Sequence, residues 1–166
     1  QILSDVTPQS TPVTPQKAPV RPGSMAQLLE QSTVLVLARQ PQGLSMGSGF
    51  FISRHHVLSN AHVVGNASQA FIINKATGGV LQATVRHRST AGGQDFALLE
   101  LSTDVAITPL EFAPGVERTQ RVSAWGFPGA VTNDDPKFMA LLQGNDSAVP
   151  EVVYTEGVVS VILERT

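Results

Sequence analysis

Past residue 24 the chain alternates short apolar runs with turn residues. Residues 34–38 form one continuous apolar run, and residues 47–53 with 56–60 flank a polar link and predict a hairpin. Residues 70–73 make a further short strand. Leu81, Ala83 and Val85 alternate with Gln82, Thr84 and Arg86, the clearest period of two in the chain, and residues 96–101 end the set. Gly65-Asn66, Gly78-Gly79 and Gly92-Gly93 carry turn chemistry between these runs. Six short strands with no helical period between them predict a small closed antiparallel barrel. Ahead of it, Ser24 opens a short helix as N-cap, with Gln27 at the capping-box position and Leu28 and Leu29 as its apolar edge.

Residues 102–119, with Pro109 and Pro114, predict a crossing loop to a second β region. There residues 121–127 alternate and stop at Pro128-Gly129, and residues 151–155 and 157–163 are two more strand candidates. Residues 137–142 fit a helical turn or a strand. Three or so strands cannot close a second barrel, so an unpaired edge is expected, and the chain reads as cut short. At the other end, residues 1–23 hold five of the eleven prolines and no aromatic residue. They cannot bury enough apolar surface to offset the cost of ordering, and predict an extended linker rather than a ligand for a proline-recognition domain. The first residue is Gln1 and no export signal precedes the body, so any targeting segment is expected upstream. The expected divisions are a linker over 1–23, helix plus barrel over 24–117, and part of a second barrel over 118–166.

At 166 residues the length fits one domain and a fraction, and 42% hydrophobic residues suffice for a packed core. Charged residues are only 14%, so Ser, Thr, Gln and Asn must carry much of the surface. A net charge of −2 argues against nucleic acid or an anionic membrane as a bulk partner. No apolar run is long enough to span a bilayer. The absence of cysteine removes a disulfide scaffold, a thiol nucleophile and a thiolate zinc site, without deciding the compartment.

His62 lies just past a predicted strand end, and Asp95 just before another. This pair, with two β regions in succession, fits a hydrolase using a Ser-His-Asp triad. A serine hydroxyl is a poor nucleophile until a neutral imidazole takes its proton. That imidazole needs a carboxylate on its other nitrogen to set the tautomer and stabilise the imidazolium. The run Phe96-Ala97-Leu98-Leu99 is expected to bury the surroundings of Asp95 and hold water away. His55, His56 and His62 do not predict a metal site, because adjacent histidines should point to opposite strand faces and no carboxylate sits nearby in sequence. Arg54 and Arg86-His87-Arg88 predict a solvated barrel rim rather than a dock for an acidic partner. Asn133-Asp134-Asp135 reads as a turn rather than a calcium ligand set, and Trp125 and Tyr154 as core or cleft-wall residues.

Gly47-Ser48-Gly49-Phe50-Phe51-Ile52, Leu58-Ser59-Asn60-Ala61-His62-Val63-Val64 and Asp95-Phe96-Ala97-Leu98-Leu99 resemble the trypsin-like (chymotrypsin-fold) serine proteases, close to the bacterial Deg/high-temperature-requirement group. Val122-Ser123-Ala124-Trp125-Gly126-Phe127-Pro128 resembles the first strand of that family's second barrel, and Thr155-Glu156-Gly157-Val158-Val159-Ser160 a strand that precedes its nucleophile. The resemblance covers about residue 25 onward. It implies an all-β, chymotrypsin-like double β-barrel with the first barrel complete and the second truncated. It further implies His62 as general base, Asp95 as its orienting carboxylate, polypeptide substrates, no cofactor, and a periplasmic or secreted location. One departure stands out: no Gly-Asp/Asn-Ser-Gly-Gly segment occurs, and no Gly-x-Ser-x-Gly elbow. Ser48 precedes His62 and reads as a strand position where backbones pass closely; Ser160 lacks flanking glycines. The nucleophile is therefore expected beyond Thr166, in a missing C-terminal segment that is a candidate partner of this piece. A protease-fold binding or scaffold module is the competing expectation.

Overall fold

Residues 34–38 are apolar without interruption because both faces of their strand are covered. The structure, a computed structural model, describes residues 23–127, 136, 140–141, 143–144 and 149–164. In it β1 (Thr33–Gln40) turns Val34, Val36 and Ala38 into a barrel interior. Leu35 and Leu37 face the other way and pack with Ile73, Phe127, Leu141 and Val149. A strand buried on both faces loses the alternation of a half-exposed one.

Six strands close the barrel: β1, β2 (Gly43–Phe51), β3 (His56–Ser59), β4 (Gln69–Asn74), β5 (Gly79–Ser89) and β6 (Phe96–Leu101). Their order around it is β1-β2-β3-β6-β5-β4, every pair antiparallel. The six runs expected from sequence are these six strands. The largest differences are that β2 starts earlier, at Gly43, and β5 runs at both ends beyond its alternating centre. Phe51, Val57, Ile72 and Leu99 fill the interior, fully buried. From residues 102–120, which contain no strand or helix, Val105 and Ile107 enter the same core. That crossing segment is fixed to the β2–β3 turn by the Val105 N–H donating to the Arg54 carbonyl at 2.7 Å.

Ahead of the barrel, α1 (Met25–Ser32) starts at Ser24, whose Oγ accepts the Gln27 N–H at 3.2 Å. The Gln27 side chain reaches back one residue further than a capping box requires, accepting the Gly23 N–H at 2.6 Å. At the other end of α1, buried Asn74 turns its side-chain amide on the carbonyls of Glu30, Gln31 and Thr33. These are the groups a helix end leaves unpaired.

Beyond the crossing segment, β7 (Arg121–Gly126) and β8 (Val153–Val158) form a two-stranded antiparallel sheet. The two strands expected over 151–155 and 157–163 are replaced by β8 alone. Gly157 lies inside it, paired with Val122, and residues 159–164 are not strand. Of residues 137–142, Ala140 and Leu141 are helical and the rest lies outside the described residues. So do residues 1–22 of the linker expected over 1–23, and the Asn133-Asp134-Asp135 turn. No helix among the described residues is long and apolar enough to cross a membrane.

Candidate active site

β3 and β6 run antiparallel with Ser59 opposite Ala97. The residues that follow β3 and those that precede β6 therefore leave the sheet at one end of the barrel. There the chain makes a single helical turn, α2 (Ala61–Val64), with Asn60 as N-cap. One turn has too few internal hydrogen bonds to hold itself, and its first N–H groups need outside acceptors. The Asn60 side chain does not supply one; its amide donates instead to the Asp95 main-chain carbonyl at 2.9 Å.

The Asp95 carboxylate caps the turn. Its Oδ1 accepts the His62 N–H at 2.9 Å, and its Oδ2 accepts Nδ1–H of the same histidine at 2.5 Å. One carboxylate thus fixes both the backbone and the ring of His62. These bonds favour its charged form. The His62 side chain, then the His62 N–H, hold the Asp95 carboxyl below the ordinary aspartate range against a smaller effect of desolvation. An ionised carboxylate can only accept, so the proton sits on Nδ1 and Nε2 of the neutral ring keeps its lone pair. The His62 side chain is 72% exposed, and no hydrogen bond among the described residues occupies Nε2. Such a ring can take a proton from a hydroxyl brought to Nε2 and return it to a leaving group.

The expectation of a dry carboxylate is corrected. Asp95 is 42% exposed at its side chain, and Phe96, first residue of β6, is itself half exposed. Along β6 it is Ala97, Leu99 and Leu101 that turn into the core, so Phe96 points away from it. With Phe50, Leu58, Asn60, Leu110 and Trp125 it lines a groove of about 340 Å³ between the barrel and β7. Trp125 is thus a cleft-wall residue as expected. It stacks on Tyr154 at 4.7 Å between ring centroids, and Tyr154 is exposed rather than core.

Ser48 takes no part in the His62–Asp95 pair. Its Oγ accepts the Phe127 N–H at 2.8 Å and donates to the Phe127 carbonyl at 3.4 Å, bridging β2 to the residue after β7. The close approach there is between the Ser48 side chain and the backbone at the end of β7, since a Cβ on Gly126 would lie 2.7 Å from Ser48 Oγ. The reading of adjacent histidines is corrected too. The rings of His55 and His56 lie 4.1 Å apart because His55 belongs to the β2–β3 turn, where strand alternation does not apply. Each has a carboxylate partner brought in by the fold: Asp104 at 2.9 Å from His55 Nδ1, and Glu100 at 3.3 Å from His56 Nε2. Among the described residues no group of three or more His, Asp or Glu side chains is arranged to hold a metal ion.

Two participants went unrecognised in the sequence. Asn60, which ties α2 to Asp95, sits inside the Ser59-Asn60-Ala61-His62 motif. The Ser48–Phe127 bridge had a signal in glycines at 47, 49 and 126, where small residues permit close approach.

The family model for a trypsin-like peptidase domain matches residues 47–164. No curated protein sequence matches. Among solved structures, the active form of the Rv3671c protease of M. tuberculosis superposes with a TM-score of 0.54 at 28% identity, over 72% of this chain and 53% of that one. A serine endoprotease from Yersinia pestis superposes with a TM-score of 0.58 at 21% identity, over 84% of this chain and 45% of that one. The chain spans about half the length of these solved proteases.

Proposed function

The chain belongs to the trypsin-like peptidase family, and from that premise we propose that it is the base-bearing part of a serine endopeptidase. The two bonds from Asp95 to the backbone and ring of His62 carry this reading. His62 is the general base and Asp95 its orienting carboxylate. The nucleophile is a serine on polypeptide outside these 166 residues, which hold no nucleophile segment. The sheet of β7 and β8 supports this. Val122 and Val153 on one of its faces and Tyr154 and Val158 on the other are 45–60% exposed, apolar surface that the rest of a second barrel would cover.

In the intact protein the serine hydroxyl stands at Nε2 of His62. The ring takes its proton as the oxygen attacks the peptide carbonyl, then gives that proton to the departing amine. Water enters, loses a proton to the same ring and hydrolyses the acyl-enzyme, and the serine recovers its proton. Asp95 stays ionised throughout and balances the imidazolium. Polypeptides are the substrates. A periplasmic or secreted location goes with this reading.

A fluorophosphonate probe on the intact protein tests it. The expected result is one labelled serine, outside residues 1–166, with loss of peptide hydrolysis on labelling. No labelled serine in protein that is folded overturns the enzyme reading in favour of a protease-fold binding module. The 166-residue chain by itself is expected to hydrolyse no peptide. Turnover by that chain, abolished by His62→Ala, would refute the assignment of the nucleophile elsewhere.

A further inference from the structure

Strand alternation turns Leu81, Ala83 and Val85 inward and leaves Arg88 on the solvated rim. A β-bulge in β5 reverses that. Val85 pairs with Leu99 and His87 with Leu98, so Arg86 is an extra residue and the alternation slips by one. Arg88 then stands opposite Ala97, on the face that Val85 and Leu99 share. From there its guanidinium reaches the turn that carries His62. Nε donates to the Gly65 carbonyl at 2.6 Å and Nη2 donates to the Ala67 carbonyl. From the opposite strand, β1, Gln40 Nε2 donates to the Val63 carbonyl at 3.3 Å. Gly65 makes room for this: its φ is +52°, and a Cβ there would lie 2.3 Å from Gln40 Oε1.

We propose that Arg88, aimed by the bulge, is a positioning residue for the His62 ring, with Gln40 in support. The argument is one of degrees of freedom. Ala61, Val63 and Val64 bury one side of α2, but Asp95 grips its polar groups at the N-terminal end only, and non-directional packing still lets the turn pivot about that grip. Arg88 and Gln40 hold its C-terminal end, at the Val63 carbonyl that a helix end leaves unpaired and at the Gly65 and Ala67 carbonyls just past it. Two parallel donors in a rigid fork fix the two carbonyls relative to β5, which a single lysine nitrogen cannot do. Arg86, pushed outward by the same bulge and paired with Glu100, has no such contact.

The proposal rests on His62 being the general base, and two readouts separate the two claims. In the intact protein, Arg88→Met is expected to lower kcat about tenfold at nearly constant KM, by misplacing the base. Arg88→Lys is expected to recover part of the loss, and Arg86→Met to stay within about twofold of the parent. Independently of turnover, the downfield proton NMR signal of His62 Nδ1–H is expected to exchange faster with solvent in Arg88→Met while amide dispersion stays that of the parent. Parent-like exchange and kcat in a folded Arg88→Met protein would overturn the proposal, as would an equal loss in Arg86→Met. If Arg88→Met does not fold, Arg88→Lys decides by the same two readouts: faster exchange supports the role, parent-like exchange removes it. If His62→Ala retains turnover, the assignment of the base fails, and the exchange rate still reports whether Arg88 holds the ring.

Discussion

In the intact protein, Asp95→Asn is expected to lower kcat by on the order of 10⁴ and His62→Ala by on the order of 10⁶, following the behaviour of serine-protease triads. The asparagine keeps the shape and can still accept the His62 N–H, so α2 should remain capped and the barrel folded. What it changes is the ring. An amide presents N–H to Nδ1 where the carboxylate presented a lone pair, which drives the imidazole proton to Nε2. The nitrogen that must accept the serine proton is then already protonated. Removing His62 leaves no base, and Asp95 then has nothing to orient. The double variant should therefore be no slower than His62→Ala alone, because groups that act as one unit lose their effect together. Steady-state kinetics on the three variants decides the matter. A loss of tenfold or less for Asp95→Asn would sink its role.

Most of the barrel is legible in the sequence because its strands are short, antiparallel and bounded by glycine turns. Even β1, with no alternation, is recognisable as a strand from its continuous apolar run, and the structure shows that both of its faces are buried. The early part of β2, residues 43–46, escaped notice because Gly43 and Ser45 leave it only Leu44 and Met46 as apolar positions, and its pairing with β1 is a tertiary matter. Of the candidate site, His62 and Asp95 stand out through their motifs, and antiparallel pairing of β3 and β6 brings them together. Their surroundings were not legible. Whether Phe96 faces the core depends on the phase of β6, which an apolar run of four does not reveal. Arg88 was misjudged for a sharper reason. The charged run Arg86-His87-Arg88 reads as solvated rim throughout, but one extra residue at Arg86 turns Arg88 to the face of Val85. The His55–Asp104 pair likewise depends on a crossing segment far along the chain packing on the β2–β3 turn.

The seam between barrel and second sheet offers the other large effect. Gly126→Ala is expected to lower kcat by about 10², on the scale that a displacement of about 1 Å costs a catalytic group. At Gly126 φ is not in the left-handed region, so space is the only obstacle. The added methyl would sit 2.7 Å from Ser48 Oγ and 3.3 Å from its Cβ. Either Ser48 rotates and gives up both bonds to Phe127, or β7 backs away from β2. Under the proposed function the base is on the barrel and the serine on the second β region, so either response moves one relative to the other. The first barrel should keep its own thermal transition, because Val34, Phe51, Ile72 and Leu99 pack without help from β7. Ser48→Ala supplies the discriminating comparison. If Ser48 is what the methyl displaces, the double variant is no slower than Gly126→Ala, and the two losses do not multiply. Losses that multiply would instead show that Ser48 and Gly126 act separately, and that this seam does not set the register between base and nucleophile.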